Sequence, residues 1–127
     1  MKRVIAGLFL GAILCGCATT APLNQELVTK NVALVKDSVF VPGVSPTSST
    51  LIAIDDKQTK FLSSSNEVPA GNRTLDVNCT YYVASVRQLY GRNVIKVNLE
   101  AGHTYKLILA LRSSSCESII EDQTVSN

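Results

Sequence analysis

The sequence predicts an all-β fold, a small antiparallel β-sandwich of about seven or eight strands, and three observations support this. Three stretches alternate apolar and polar residues: Leu75, Val77 and Cys79; Ile95, Val97 and Leu99; and the odd positions from His103 to Leu111. A period of two marks a strand with one buried face. Turn signals built on Pro, Gly, Asn and Asp recur every eight to twelve residues, the spacing of a sandwich or open barrel. No crossover helices are predicted between the strands, which argues against a parallel sheet.

The elements follow in chain order. Residues 18–26 are polar with one proline and read as a tether. Leu27 to Val35 has β-branched residues without a clean helical period and reads as a first strand. Pro42-Gly43 and the run Ser45 to Ser49 form a loop. Thr50 to Ile54 is a short apolar strand, Asp55 to Gln58 a turn, and Thr59 to Leu62 can pair back. Pro69 to Asn72 turns the chain into the alternating strand Thr74 to Cys79, with the Cys79 sulfur on the core side.

Tyr81 to Tyr90 is ambiguous. Tyr82, Val86, Leu89 and Tyr90 would share a helical face, whereas Tyr81, Val83 and Ser85 alternate as a strand continuing from Cys79. The strand is favoured, with a loop at Gly91-Arg92-Asn93. Ile95 to Leu99 and His103 to Leu111 flank the Ala101-Gly102 turn. Cys116 to Ile120 is the last strand, and Asp122 to Asn127 a frayed tail.

The chain opens Met1-Lys2-Arg3, followed by the apolar stretch Val4 to Leu14. Two positive charges before a short apolar run have the layout of a secretory signal. The run is too short to span a bilayer, which takes about 20 apolar residues. Leu14-Cys15-Gly16-Cys17 resembles the lipobox of bacterial lipoproteins. That resemblance implies cleavage after Gly16 and a diacylglyceryl group on the Cys17 sulfur. Cys15 is a poorer candidate, because it would put Leu14 before the cut, where a small residue is wanted. Ala18 stands where Asp commonly favours inner-membrane retention, so in a Gram-negative cell the resemblance implies an outer-membrane anchor facing the periplasm. The expected organisation is a signal peptide over 1–16, a lipidated tether over 17–26 and the β-sandwich domain over 27–127.

Removing residues 1–16 from 127 leaves 111, one domain's worth. The formal charge of +2 is carried by Lys2 and Arg3, so the mature part balances 10 basic against 10 acidic side chains. No basic stripe remains for nucleic acid. Of four cysteines, Cys79 and Cys116 are left over. In an oxidising compartment such a pair usually forms a disulfide; two buried free thiols are the alternative. A redox role lacks a C-x-x-C motif, and zinc would want three or four ligands.

Three segments in fixed order carry a second resemblance. They are Ile54-Asp55-Asp56-Lys57, Val68 to Val77 with Pro69-Ala70-Gly71, and Leu99 to Leu107 with Ala101-Gly102-His103. Together with Cys116 to Asp122 they resemble PEGA-like domains of small bacterial lipoproteins and periplasmic proteins, mostly of unknown function, over residues 50–122. The resemblance implies a sandwich and brings no catalytic residue. Asp56 stands where that turn usually has Gly, a departure that would loosen the turn type.

The residues themselves mark out no catalytic constellation. His103, the single histidine, reads as a turn or core-edge residue held by a backbone hydrogen bond. Asp55 and Asp56 could bind a cation as adjacent carboxylates, but a hairpin turn accounts for them better. No nucleophile elbow, zincin motif or phosphate-cradling loop is present, so no metal or cofactor is implied. Tyr81, Tyr82, Arg87, Tyr90 and Arg92 form the one candidate binding patch, since aromatic and Arg residues are favoured in contacts; covering a sheet edge is the plainer account of them. The expected function is that of a non-enzymatic, lipid-anchored envelope lipoprotein. It would be a binding, adaptor or accessory subunit whose partner is an envelope protein or peptidoglycan. The alternative is a structural or stress-related surface lipoprotein without a dedicated partner.

Overall fold

Capping residues decide the first elements of the fold. The computed structural model describes residues 21–39, 41, 45–59, 64–83 and 87–125. A two-residue strand β1 (Ala21–Pro22) precedes helix α1 (Gln25–Lys30). The Asn24 carboxamide oxygen accepts from the amides of Glu26 and Leu27 at 2.9 and 3.2 Å, satisfying amides that a helix start leaves open. Asn31 closes α1 in the left-handed region at φ 58°, its amide donating to Leu27 and Val28. The strand expected over Leu27 to Val35 is therefore half helix, and the fold already includes residues 21–26. One buried residue, Leu27, fastens α1 to the rest, too few for a helical period to be visible in sequence.

The remaining strands are β2 (Val32–Lys36), β3 (Thr47–Ile54), β4 (Lys57–Gln58), β5 (Ser65–Pro69), β6 (Gly71–Val83), β7 (Arg87–Leu99), β8 (Thr104–Leu111), β9 (Cys116–Asp122) and β10 (Thr124–Val125). The all-β expectation holds. Ten strands are described, of which seven have five residues or more. One sheet has the order β5-β2-β8-β9, a second β4-β3-β6-β7, and β1 pairs with β10.

Pairing is antiparallel except for β2 with β8 and β1 with β10, which are parallel. The expected antiparallel pairing holds for the other pairs, and these two parallel pairs are additions to it. Parallel neighbours need a crossover. Between β2 and β8 that crossover is made by strands β3 to β7, four of which lie in the other sheet.

Both four-stranded sheets contribute to one core. Ala33 and Val35 of β2, Val68 of β5 and Tyr105 and Leu107 of β8 pack with Leu51 of β3, Leu75 and Val77 of β6 and Leu99 of β7. Burial of each Val or Leu among them contributes about 1.5–3 kcal/mol. The inward parity read for Leu75, Val77 and Cys79 holds, all three being at most 1% exposed.

Two seams join the sheets. On one side Ser38 and Ser49 exchange backbone hydrogen bonds of 3.0 and 2.9 Å. On the other, the Asn93 carboxamide donates to the Ser118 carbonyl at 2.9 Å and accepts from the Ser118 amide at 3.0 Å. This side chain substitutes for a backbone rung between β7 and β9. The buried Ser118 hydroxyl lies 3.1 Å from both the Ser49 hydroxyl and the Asn78 carbonyl. The disulfide Cys79–Cys116, with Cα atoms 6.1 Å apart, links β6 to β9 beside this seam.

Two further expectations are corrected. Gly91-Arg92-Asn93 is not a loop but the middle of β7, paired with Cys79, Asn78 and Val77. The turn signal of Gly91 misleads because its missing Cβ serves a close approach: a Cβ there would run into the Cys116 carbonyl. The tail after Asp122 also pairs, since Thr124 and Val125 lie against Ala21 and Pro22. The Thr124 hydroxyl accepts from the Thr104 amide at 2.9 Å, which fastens β10 to β8.

Candidate functional site

β6 and β7 form a ribbon of two thirteen-residue strands in unbroken antiparallel register from Gly71–Leu99 to Val83–Arg87. Leu75, Val77 and Cys79 face the core. Alternation therefore places Asp76, Asn78, Thr80 and Tyr82 on the outer face, with their partners Val94, Arg92, Tyr90 and Gln88. The predicted patch is divided by this alternation. Tyr82, Tyr90 and Arg92 share the outer face, the two tyrosines near the hairpin end and Arg92 at the middle of β7. Tyr81 and Arg87 occupy register positions of the opposite parity. Tyr81 and Tyr82 are both half-buried, while Tyr90 is 62% exposed.

The outer residues are held in place. Arg92 makes a two-pronged contact with Asp76, Nε to Oδ1 at 3.1 Å and Nη2 to Oδ2 at 2.8 Å. The guanidinium hydrogen bond holds the Asp76 carboxyl below its ordinary range and raises Arg92 in turn. The Tyr90 hydroxyl donates to the Gln88 side-chain carbonyl. The Tyr82 amide donates to the Pro46 carbonyl at 2.9 Å, tying the ribbon to the segment before β3. The Tyr90 ring thus stands in solvent toward the hairpin end of the ribbon, beside a charge pair at its middle. Toward the opposite end of the ribbon a shallow depression is lined by Asn72, Arg73, Thr74, Lys96, Val97 and Asn98. Arg73 is committed there to Asp55 at 2.8 Å.

The Asp55-Asp56 pair forms the β3–β4 turn, with φ 49° and 71°. Asp55 accepts from the Thr74 amide and from Arg73, both at 2.8 Å; the Thr74 amide first and Arg73 second pull its carboxyl below the ordinary range.

Sequence reasoning missed the surroundings of His103. Its Nδ1 lies 2.7 Å from Asp122 Oδ2 and its Nε2 3.3 Å from Glu100 Oε1. The ring stacks on Tyr105 at 6.0 Å. Burial pushes Asp122 up, but the Thr124 amide, His103 and the Thr124 hydroxyl together outweigh it and hold the carboxyl below its ordinary value. Burial raises the Tyr105 phenol, whose oxygen accepts from the Glu100 amide at 2.9 Å. The signal available in sequence was register. Pairing Leu111 with Cys116 brings Asp122 opposite Tyr105, two residues from His103. With both ring nitrogens against carboxylates, the imidazole is suited to fastening the β8–β9 end and poorly placed to take a substrate proton. Among the described residues no group of three or more His, Cys, Asp or Glu side chains could hold a metal ion.

Cys79 and Cys116 form the disulfide that their leftover pairing predicted. Cys17, the predicted lipid site, lies outside the described residues, as does the signal over 1–16. Comparison of the chain with protein-family models, curated proteins and solved structures gave no match.

Proposed function

We propose that this chain is a non-enzymatic lipoprotein of the cell envelope, anchored by lipid on Cys17 and acting as a binding, adaptor or accessory subunit for another envelope component, a protein or peptidoglycan. One observation supports it above the others. The Leu99 end of β7 leads into the Gly102 turn, against which Leu23, just after β1, and Val28 of α1 pack. Arg87, at the other end of β7, lies twelve residue steps away, roughly 40 Å along a strand. The ribbon therefore carries Tyr82 and Tyr90 toward the end away from the anchor, with the Arg92–Asp76 pair at mid-ribbon beside Tyr90. A partner patch on a tethered domain is useful at that distal position, and a solvent-exposed tyrosine next to a fixed arginine is the composition favoured in contacts.

Photo-crosslinking in intact cells tests the reading. A crosslinker replacing Tyr90 is expected to capture one reproducible envelope component, and the Tyr82→Ala, Tyr90→Ala double variant to lose most of that capture while remaining folded. Capture of nothing reproducible overturns the adaptor role in favour of a lipoprotein without a dedicated partner. Cys17→Ser is expected to move the protein into the soluble periplasmic fraction. Unchanged membrane retention overturns the anchor.

A further inference from the structure

The N-terminal end of the fold carries an apolar surface of its own. Leu23, Val28 and Val125 are 39%, 37% and 41% exposed. Leu23 follows β1, Val28 belongs to α1 and Val125 to β10, and backbone pairing and packing bring these segments side by side. Pro22 pairs with Val125 across β1 and β10. Leu23 Cδ1 and Val28 Cγ2 both crowd the position where Gly102 would carry a Cβ. Gly102, at φ 87°, permits this close approach, and Asn24 closes it with a 3.0 Å hydrogen bond to the Gly102 carbonyl.

We propose that Leu23, Val28 and Val125, with exposed Pro22 between them, form a face that rests on the lipid surface to which Cys17 is attached. The inference depends on the anchor proposed above and adds an orientation to it. Its second support is the length of the leash. Ala18, Thr19 and Thr20 alone separate Cys17 from Ala21. Four residue steps, even fully extended, reach about 14 Å. A lipidated Cys17 sits in the headgroup region, so β1 is held within that distance of the bilayer. An apolar face at this end is then the part of the fold nearest the lipid, and apolar side chains of interfacial segments enter the headgroup–acyl boundary. Glu26 and Glu100 lie beside this face, in the first turn of α1 and just before the Gly102 turn. Glu26 is offset by Lys30 of the same helix and Glu100 by His103, so the exposed apolar side chains carry the contact, and zwitterionic lipid is sufficient to test it.

Tryptophan scanning tests the orientation, because the chain has no Trp of its own. Leu23→Trp, Val28→Trp and Val125→Trp would each be prepared as full-length lipidated protein, with Leu111→Trp as the distant reference. Vesicles of phosphatidylcholine with brominated acyl chains serve as the quencher. About twofold quenching is expected at positions 23, 28 and 125 and little at 111, as for side chains at the headgroup–acyl boundary. Equal, weak quenching at all four in protein that floats with the vesicles overturns the resting face and leaves the anchor standing. Blue-shifted emission at 23 and 125 without quenching assigns the face to a second copy of the chain instead. Protein that lacks the lipid mass on Cys17 and does not float overturns the anchor, and the resting face with it. Val28 lies outside the β1–β10 pair, so its probe reports even if a substitution at 23 or 125 loosens that pair.

Discussion

Gly91 lies directly under the carbonyl of Cys116, so closely that a methyl carbon in place of its hydrogen would come within 1.7 Å of the oxygen. Both partners are backbone, so neither can step aside by changing rotamer. Gly91→Ala is expected to cost about 3 kcal/mol or more. Chemical denaturation of the oxidised protein would measure it. A loss under about 1 kcal/mol would mean that β7 and β9 part easily at this point.

The disulfide closes a loop of 37 residues. Chain entropy gives it about 4 kcal/mol, a large share of what a domain of this size possesses. The double variant Cys79→Ala, Cys116→Ala is expected to lose about that much, as the shift of its denaturation midpoint multiplied by an unchanged slope. Substitution at one cysteine alone is the poorer experiment, since it leaves a reactive thiol.

Asp56 holds φ 71° at the second central position of the β3–β4 turn, a conformation that costs a residue with a Cβ about 1 kcal/mol. Asp56→Gly is expected to raise stability by up to that amount, with the thermal midpoint as readout. Asp55 is different. It also has positive φ but fixes Arg73 and the Thr74 amide, so Asp55→Gly is expected to destabilise.

Asp37 is half-buried beside β3. Burial pushes its carboxyl from 3.8 to about 6, against the pull of the Leu51 amide hydrogen bond. The folded state thus holds a proton that the unfolded chain has released. Below about pH 3.8 both states are protonated and the favourable contribution is fully present; it is lost as pH rises through about 6. Asp37→Asn keeps an acceptor for Leu51 and removes the charge. It is expected to be more stable than the parent at pH 7.5 by about 1 kcal/mol, allowing for solvent screening, with the difference vanishing near pH 3.5. A pH-independent difference would locate the effect in packing rather than ionisation.

The strands with one face buried were legible because side-chain parity is a property of the chain alone. Leu75, Val77 and Cys79, and later Tyr105 and Leu107, face inward as their alternation demanded. Elements fixed by single hydrogen bonds were not legible in the same way. Helix α1 depends on the Asn24 and Asn31 caps around one buried leucine, and six residues carry too little pattern to outweigh β-branched Val28 and Thr29. Gly91 was misread because glycine marks a turn and a close approach with the same letter; only the neighbouring strand, 25 residues later, tells them apart. The candidate patch suffered from a similar ambiguity. Once Tyr81 is in a strand rather than a helix, it belongs to the opposite parity from Tyr82 and Tyr90. Asp122 escaped notice because its relation to His103 depends on strand register, which neither segment specifies alone.

The seam between β7 and β9 also bears on how these molecules behave in company. A protein confined to a surface meets its own copies at high two-dimensional density, and a bare strand edge would invite them to zip together. Asn93 occupies the rung at Ser118, and the carbonyl of Cys116 covers Gly91, so this stretch of the long β7 edge is already in use. The outer strand of the other sheet, β5, is five residues long and carries Glu67 and Pro69, a charge and a missing donor that discourage pairing. These two edges are thus poor templates for pairing with a second copy of the chain.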